Sequence, residues 1–448
     1  MKLLHMLMPE NLLLAILILF VAVASFSPGA VVAVEPAEQF SQFAAPPEPS
    51  ELTLQQALAF VLEHNPDLKA FSKELRANEA TILQAGVLHN PVLGLEASDF
   101  GNQRKANAGD RTTTLQIGQL IELGGKRAAR IRLAQTDRDL ANWDYEAKRI
   151  EILTQVTQRF INVLVFQQRE TLSNESLQLA RQVADTVAKR VKAGKVSPVE
   201  ETKARLTVTT AEVELEQARR QLAAARGTLS VSWGNPSPQF KKAIGDLEQT
   251  MPLPEYEALA GRVRNNPDLA RWSTEIARHQ AAVAIERTKA VPDVTVTAGV
   301  SRFSQFNDEA FMLGISVSIP VFDRNRGGIL AANERLSRAA YEQHVVEGRV
   351  LADLLQTYQL LEAIYKEIEA LRTTLLPGAQ SAFDAATKGY QLGKFSFLEV
   401  LDAQRTLFQS RAQYLQALAD YQRGYADIER LIGEALDTEP ASTHNNKQ

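Results

Sequence analysis

With 448 residues, the chain can hold two or three ordinary domains or one extended structure. Its net charge is −4 and its lysines and arginines are scattered, which excludes the basic stripe that tracks nucleic-acid phosphates. It has no cysteine, so disulfides, thiolate metal sites and lipid attachment at an N-terminal cysteine are excluded too. Hydrophobic residues make up 45%, yet beyond the N-terminus no run is apolar for the ~18 residues that a spanning helix needs. Any membrane entry by the mature chain must therefore use strands.

Residues 1–33 have the form of a signal peptide. Lys2 leads, Leu12 to Ala24 is unbroken apolar sequence, and Ala22-Val23-Ala24 or Val31-Val32-Ala33 offers small residues for cleavage. A retained membrane anchor is the alternative, although the run is short for a span. Residues 34–51, rich in proline, alanine and glutamine, form a flexible leader. Leu52 to Leu88 is helical, capped near Thr53 and interrupted only by Pro66. Val92 to Phe100 and Thr112 to Glu122 then alternate apolar and polar residues with the period of a strand. From Lys126 to Ala193 there is neither glycine nor proline, and apolar residues recur at Leu153, Val156, Phe160 and Val163. Such a helix would run roughly 100 Å. A further helix covers Pro198 to Trp233, and residues 235–254 form a linker.

The same unit then recurs about 200 residues later. Asn65-Pro66-Asp67-Leu68 returns as Asn266-Pro267-Asp268-Leu269, and Pro91 as Pro292. Lys189, Gly194, Lys195, Ser197 and Glu200 return at one offset as Lys388, Gly393, Lys394, Ser396 and Glu399, and Trp233-Gly234 as Ile432-Gly433. The chain is a tandem duplication, with repeats at 52–234 and 255–433 and a disordered tail at 434–448. In the second copy Val294, Val296, Ala298 and Val300 alternate with Thr295, Thr297, Gly299 and Ser301. Phe311, Leu313, Ile315, Val317 and Ile319 alternate with Gly314, Ser316 and Ser318. A long helix begins near Gly328, with a coiled-coil seam at Val350, Leu354, Tyr358, Leu361, Tyr365, Ile368 and Leu375. Pro377-Gly378 should bend it where the first copy has Gln178.

Leu52–Leu88 and Pro198–Trp233, stacked end to end, match the long helix in length and should pair along it. The expected fold class is α+β, a tandem-repeat coiled-coil barrel with strands at one end. Strands of about ten residues suit a tilted bilayer crossing. Four per chain are too few to close a barrel, and an open edge in lipid leaves backbone groups unsatisfied. Two chains would supply eight strands and three would supply twelve. The threonine-rich face would line water and the valine face would meet lipid; a soluble sheet packed on helices is the alternative.

The duplicated helix–hairpin–helix–helix unit resembles the TolC family of outer-membrane factors from Leu52 to Gly433. Gln119-Leu120-Ile121-Glu122-Leu123-Gly124-Gly125-Lys126-Arg127 resembles the strand-to-helix junction of its heavy-metal branch, the CzcC-like proteins. The resemblance implies a homotrimer with a twelve-stranded transmembrane β-barrel in the outer membrane and a periplasmic helical tunnel. It also implies two partners, an inner-membrane resistance-nodulation-division pump and a periplasmic membrane-fusion adaptor. Gly194, Lys195 and Ser197, with Gly393, Lys394 and Ser396, resemble the helix tips where the adaptor docks, and helix-ending glycine followed by helix-starting serine suits such a turn. Glu399 and Asp402, three apart on one helix face, align with acids that ring the closed tunnel entrance in similar proteins. Threefold symmetry would stack two acidic rings there, which concentrate cations and repel one another. The first copy offers Glu200 and Lys203 at those positions.

Six histidines and five methionines, with two of the former and three of the latter in the leader or tail, make a poor metal-ligand set. His64, His89, His279 and His344 show no ligand spacing, so no resident metal or cofactor is expected. Gly124-Gly125-Lys126 lacks the spacing of a phosphate loop, and no catalytic constellation is present. The expected function is the exit duct of an export pump carrying divalent heavy-metal cations. A duct for organic toxins or peptides is one alternative, and a secreted coiled-coil scaffold is another, from a different class.

Overall fold

The computed structural model describes residues 47–98, 112–303 and 308–436, all within the unit Ala45–Gln448. The signal peptide expected at 1–33 and nearly all of the tail expected at 434–448 lie outside the described residues.

The first repeat opens with strand β1 (Glu51–Thr53), helix α1 (Leu54–His64) and helix α2 (Pro66–Ala85). Thr53 caps α1 reciprocally: Gln56 N–H donates to its hydroxyl at 3.3 Å, and the Gln56 side chain accepts the Thr53 N–H at 3.0 Å. The single helix expected over Leu52–Leu88 is in fact two. Pro66 lacks an N–H and drives the residue before it out of helical space, so Asn65 sits at φ −61°, ψ 125°. Asn65 then caps α2, accepting the Leu68 N–H at 2.9 Å, while its amide donates to Ser232 O at 2.7 Å. In the second copy, Asn266 accepts the Asp268 N–H at 2.7 Å and donates to Leu431 O at 2.9 Å. The repeated Asn-Pro-Asp-Leu is thus a clip that ties the start of each repeat to its own end.

The hairpin β2 (Val92–Ser98) and β3 (Thr112–Ile121) leads into α3 (Lys126–Lys192), 67 residues without a break. Helix α4 (Pro198–Ser230) returns along α3, and α1 and α2 pack against α3 as well, so the end-to-end pairing expected for the short helices is present. Strand β4 (Lys242–Ile244) follows and pairs in parallel with β1. The Glu48 carboxylate, at the end of the expected leader, accepts from Trp233 Nε1 at 2.9 Å, Asn235 Nδ2 at 2.6 Å and the N–H of Gln239 at 2.6 Å.

The second repeat runs through α5 (Tyr256–Arg262), α6 (Pro267–Lys289), β5 (Val294–Phe303), β6 (Asp308–Val317), α7 (Arg326–Ala370), α8 (Leu376–Gln391) and α9 (Phe397–Ile432). Helix α6 packs on both α3 and α7, and α9 packs on α3, α7 and α8, so these two helices join the repeats. Polar links reinforce the seam, with Trp143 Nε1 donating to Thr274 at 3.0 Å and Arg278 paired with Asp137 at 2.6 Å. The main core includes Val156, Phe160, Val163, Trp233, Leu354, Leu361, Ile368 and Tyr421, and so draws on both copies.

Where Pro377 was expected to bend the second long helix, Leu371–Leu375 forms a π-helical turn between α7 and α8. Proline cannot donate to the carbonyl one turn back, and the wider turn absorbs that loss. It also shifts the seam: Leu371 and Ala379 are buried, whereas Leu375, placed in the seam by sequence spacing, is 44% exposed. Two strands end short of expectation, β3 at Ile121 and β6 at Val317, while the expected end of β2 at Phe100 lies outside the described residues.

The four longer strands form one antiparallel sheet in the order β2-β3-β5-β6. The hairpins of both copies therefore lie in one sheet, joined by β3 and β5 through a register that runs from Thr112↔Phe303 to Ile121↔Val294.

Candidate functional site

The two helix-tip turns are built alike. Each ends in a glycine in the left-handed region, Gly194 at φ 68° and Gly393 at φ 73°. At the first tip Lys195 N–H donates to Arg190 O at 2.9 Å and Gly194 N–H to Val191 O at 2.9 Å. At the second, Lys394 N–H donates to Gly389 O at 2.9 Å and Gly393 N–H to Tyr390 O at 3.0 Å. Both pairs follow the Schellman pattern, which satisfies the last carbonyls of a helix. Ser197 caps α4, accepting the Val199 N–H at 3.3 Å. At the N-terminus of α9, the Glu399 carboxylate accepts the Ser396 N–H at 2.5 Å.

Glu399 and Asp402 are both exposed on α9, as their spacing requires. Only Glu399 is committed to a local bond; the Asp402 carbonyl, not its carboxylate, accepts from Thr406 at 3.0 Å.

The structure brings the two tips together through residues that sequence reasoning did not single out as a group. Arg190 on α3 donates to Tyr390 O on α8, and its guanidinium lies 4.3 Å from the Tyr390 ring centroid. The Tyr390 hydroxyl donates to Glu200 on α4 at 3.3 Å. Burial and the facing Glu200 carboxylate push the Tyr390 phenol up from its ordinary value. Below this latch Val187, Ala204, Phe383, Tyr390, Phe397 and Val400 form a separate apolar cluster. The signal was present as a difference between the copies: Arg190-Val191 in the first stands opposite Gly389-Tyr390 in the second. Likewise Glu200 and Glu399, equivalent by repeat, hold different partners.

The sheet has two chemically distinct faces, set by the register. One carries Leu93 and Leu95, Leu115 and Ile117, Val294, Val296 and Val300, and Phe311, Leu313 and Ile315. Leu95 is 73% exposed and Leu313 is 78% exposed. The other face carries Thr114, Gln116, Thr295, Thr297 and Ser301, with the Thr114 and Ser301 hydroxyls 2.9 Å apart. All the glycines of the sheet, Gly94, Gly118, Gly299 and Gly314, lie on this second face. A Cβ at Gly299 would stand 2.7 Å from Leu115 O, and one at Gly314 2.6 Å from the Thr297 hydroxyl. At these two positions glycine lets neighbouring groups approach where a side chain would collide.

A charged collar sits where strands meet helices. The Glu122 carboxylate is forked by Arg130, with one contact at 2.9 Å. Asp293 pairs with Lys126 at 2.6 Å and accepts the Leu123 N–H at 3.1 Å. The long helices start from matching left-handed residues, Gly125 at φ 77° and Asn325 at φ 52°. Asn325 holds this conformation with its amide bonded to Glu286 O at 2.8 Å. Thus Gly124-Gly125-Lys126 makes a strand-to-helix corner: a Cβ at Gly124 would stand 2.7 Å from Val291.

Among the described residues no group of three or more His, Cys, Asp or Glu side chains could hold a metal ion. No described helix is long and apolar enough to cross a membrane.

Known proteins share this architecture. A crystal structure of CusC superposes with a TM-score of 0.75 over 88% of this chain and 96% of that one, at 19% identity. The outer membrane protein VceC from Vibrio cholerae gives 0.71 over 85% and 96%, at 18% identity. In sequence, the cobalt-zinc-cadmium resistance protein CzcC of Cupriavidus metallidurans is 40% identical over 85% of this chain and 90% of its own length. The nickel-cobalt-cadmium resistance protein NccC of Alcaligenes xylosoxydans xylosoxydans is 27% identical over 66% of each. The family described as outer membrane efflux protein matches the chain in two segments, residues 57–235 and 262–434. By that match and the similarity to CzcC, the chain belongs to the outer membrane efflux protein family.

Proposed function

We propose that three copies of this chain form the outer-membrane exit channel of a tripartite pump that exports divalent heavy-metal cations. The observation that carries the duct reading is the sheet, apolar and exposed on one face, hydroxyl-rich and glycine-crowded on the other. Its edge strands are β2 and β6. In lipid an open edge would leave backbone groups unsatisfied, and three four-stranded sheets joined edge to edge give a closed barrel of twelve strands. The apolar face then meets lipid and the hydroxyl face meets water. The helices continue the duct into the periplasm, and residues 1–33 direct export.

Similarity to a cobalt-zinc-cadmium resistance protein along most of both chains supports metal cations as cargo. Organic toxins or peptides are the other cargo class. The chain performs no chemistry on its cargo; selection falls to an inner-membrane resistance-nodulation-division pump and a periplasmic adaptor. The adaptor docks at the tips around Gly194, Lys195 and Ser197 and around Gly393, Lys394 and Ser396, while Glu399 and Asp402 line the entrance. Replacing both Lys195 and Lys394 with glutamate lowers adaptor crosslinking, and undiminished crosslinking would remove the docking assignment.

The test of function is growth of a strain lacking this protein on zinc, cobalt, cadmium, nickel, copper and silver, with dyes and detergents alongside. Sensitivity confined to metals supports the cation duct and identifies the ion. Sensitivity confined to organic compounds keeps the duct and overturns the metal assignment.

A further inference from the structure

We infer that Glu96 is a specificity-determining residue of the duct, setting a cation-favouring field at the end of the sheet away from the helices. The inference rests on the duct reading, which makes the hydroxyl face of the sheet the water-lining one.

Register places Glu96 on that face. It stands opposite Thr114 on β3, which stands opposite Ser301 on β5, which stands opposite Ala310 on β6. Glu96 is exposed. Ser98 follows two residues later on the same face and is the last described residue of β2. At the opposite end the strands connect to the helices through the corner at Gly124-Gly125, so Glu96 lies toward the end remote from the helical tips.

The charge on this face has one sign. Among the described strand residues it carries Glu96 and, at the start of β6, Asp308, and neither lysine nor arginine. The basic residue of the sheet, Arg302, is on the opposite face, where register sets it across from Glu309. The apolar face therefore carries a cross-strand pair of opposite charges, whereas Glu96 has the hydroxyl of Thr114 as its cross-strand neighbour. A carboxylate left without a cross-strand cation, on a face that carries hydroxyls, amides and glycines alongside Val92, Leu120, Phe303 and Met312, leaves its field in the water it borders. In a threefold assembly three such groups would surround the lumen, and like charges around a narrow aqueous path raise the local cation concentration.

The absence of cysteine makes the test direct. Ser98→Cys places a unique thiol about 7 Å along the strand from Glu96. Outer membranes carrying this variant are treated from outside with cationic and anionic methanethiosulfonate reagents of similar size, and the two labelling rates are compared. One unit charge at that separation, taken between full screening at physiological salt and none, alters the cation-to-anion rate ratio by roughly two- to seven-fold. Expected is a preference for the cationic reagent that falls by that factor in Glu96→Gln and is restored in Glu96→Asp. A ratio unmoved by Glu96→Gln overturns the assignment of Glu96 while leaving the duct intact. A thiol at Leu95, on the apolar face, separates the other failure. If Leu95→Cys labels readily and Ser98→Cys does not, the faces are reversed, and the duct reading falls together with this inference.

Discussion

Replacing Tyr390 with phenylalanine isolates the latch between the two tips. The ring remains in its apolar cluster beneath the Arg190 guanidinium, and Arg190 keeps its bond to the Tyr390 carbonyl, so the change removes one hydroxyl. That hydroxyl donates to the Glu200 carboxylate at 3.3 Å. Hydrogen bonds to charged groups contribute about 1.5–3 kcal/mol in mutational series, and this one is longer than the usual O–H···O range, so about 1 kcal/mol is the reasonable expectation. A loss of that size raises the population of separated tips about five-fold. Ala204 is 2% exposed in the cluster below the latch, and the chain has no other thiol, so Ala204→Cys reports opening by its rate of labelling. The expected result is labelling about five-fold faster when Tyr390→Phe is added. Glu200→Ala should reproduce the effect and add nothing to Tyr390→Phe, because both remove the same bond. Unchanged labelling in Tyr390→Phe, or effects of the two substitutions that simply add, would refute the latch.

At the second tip, Glu399→Gln keeps an acceptor for the Ser396 N–H, whereas Glu399→Ala also removes the cap at a cost of about 1 kcal/mol. Glu399→Gln and Asp402→Ala together should lower the cation conductance of isolated trimers in a planar bilayer without loosening the tip. Conductance equal to the parent's would sink the entrance role. The repeat-ending glycines offer a matched pair, both in the left-handed region at φ 82° and 74°. Alanine at Gly234 meets no neighbour and should cost about 1–2 kcal/mol in conformation alone. At Gly433 its Cβ would stand 2.8 Å from Asn265 O, so thermal unfolding should show a larger loss there; equal losses would contradict the packing difference. Burial pushes the Asp427 carboxyl up, more than the nearby Arg430 and the Gln158 hydrogen bond draw it down. An acid with a raised folded pKa binds more protons folded than unfolded, so its charged form costs stability at pH above the folded value and nothing below about 3.9, the unfolded value. Asp427→Asn should therefore raise the melting temperature at pH 7, with the difference shrinking as pH falls toward 4. A difference independent of pH would assign the effect to packing.

The duplication, the helix without interruption from Lys126, the left-handed glycines at the tips and the alternation of the strands were all legible in the sequence. Each depends on local chemistry: a missing Cβ, a missing N–H, or a side-chain period of two or of three to four. Thr53 and Ser197 were readable as caps for the same reason. The split at Asn65 was half visible, since Pro66 announces a break but not that the Asn65 amide would cross to Ser232 O, 167 residues away. The exposure of Leu375 was not legible, because a π-helical turn adds a residue to one turn and shifts every later seam position.

The linking of the copies belongs to tertiary structure. Sequence gave two similar hairpins, but only pairing of β3 with β5 makes them one sheet, and only that register fixes which face carries Glu96 and all the glycines. A slip of one residue would reverse every side chain in a strand. The latch is the same case: Arg190, Glu200 and Tyr390 come from three helices of two copies, and Arg190 and Tyr390 stand at positions where the repeat is broken rather than kept. A residue's period and conformational preference are fixed by its own covalent structure and near neighbours, so sequence determines them. Which distant partner completes a hydrogen bond or shares a sheet depends on how the helices pack, and only the folded chain decides that.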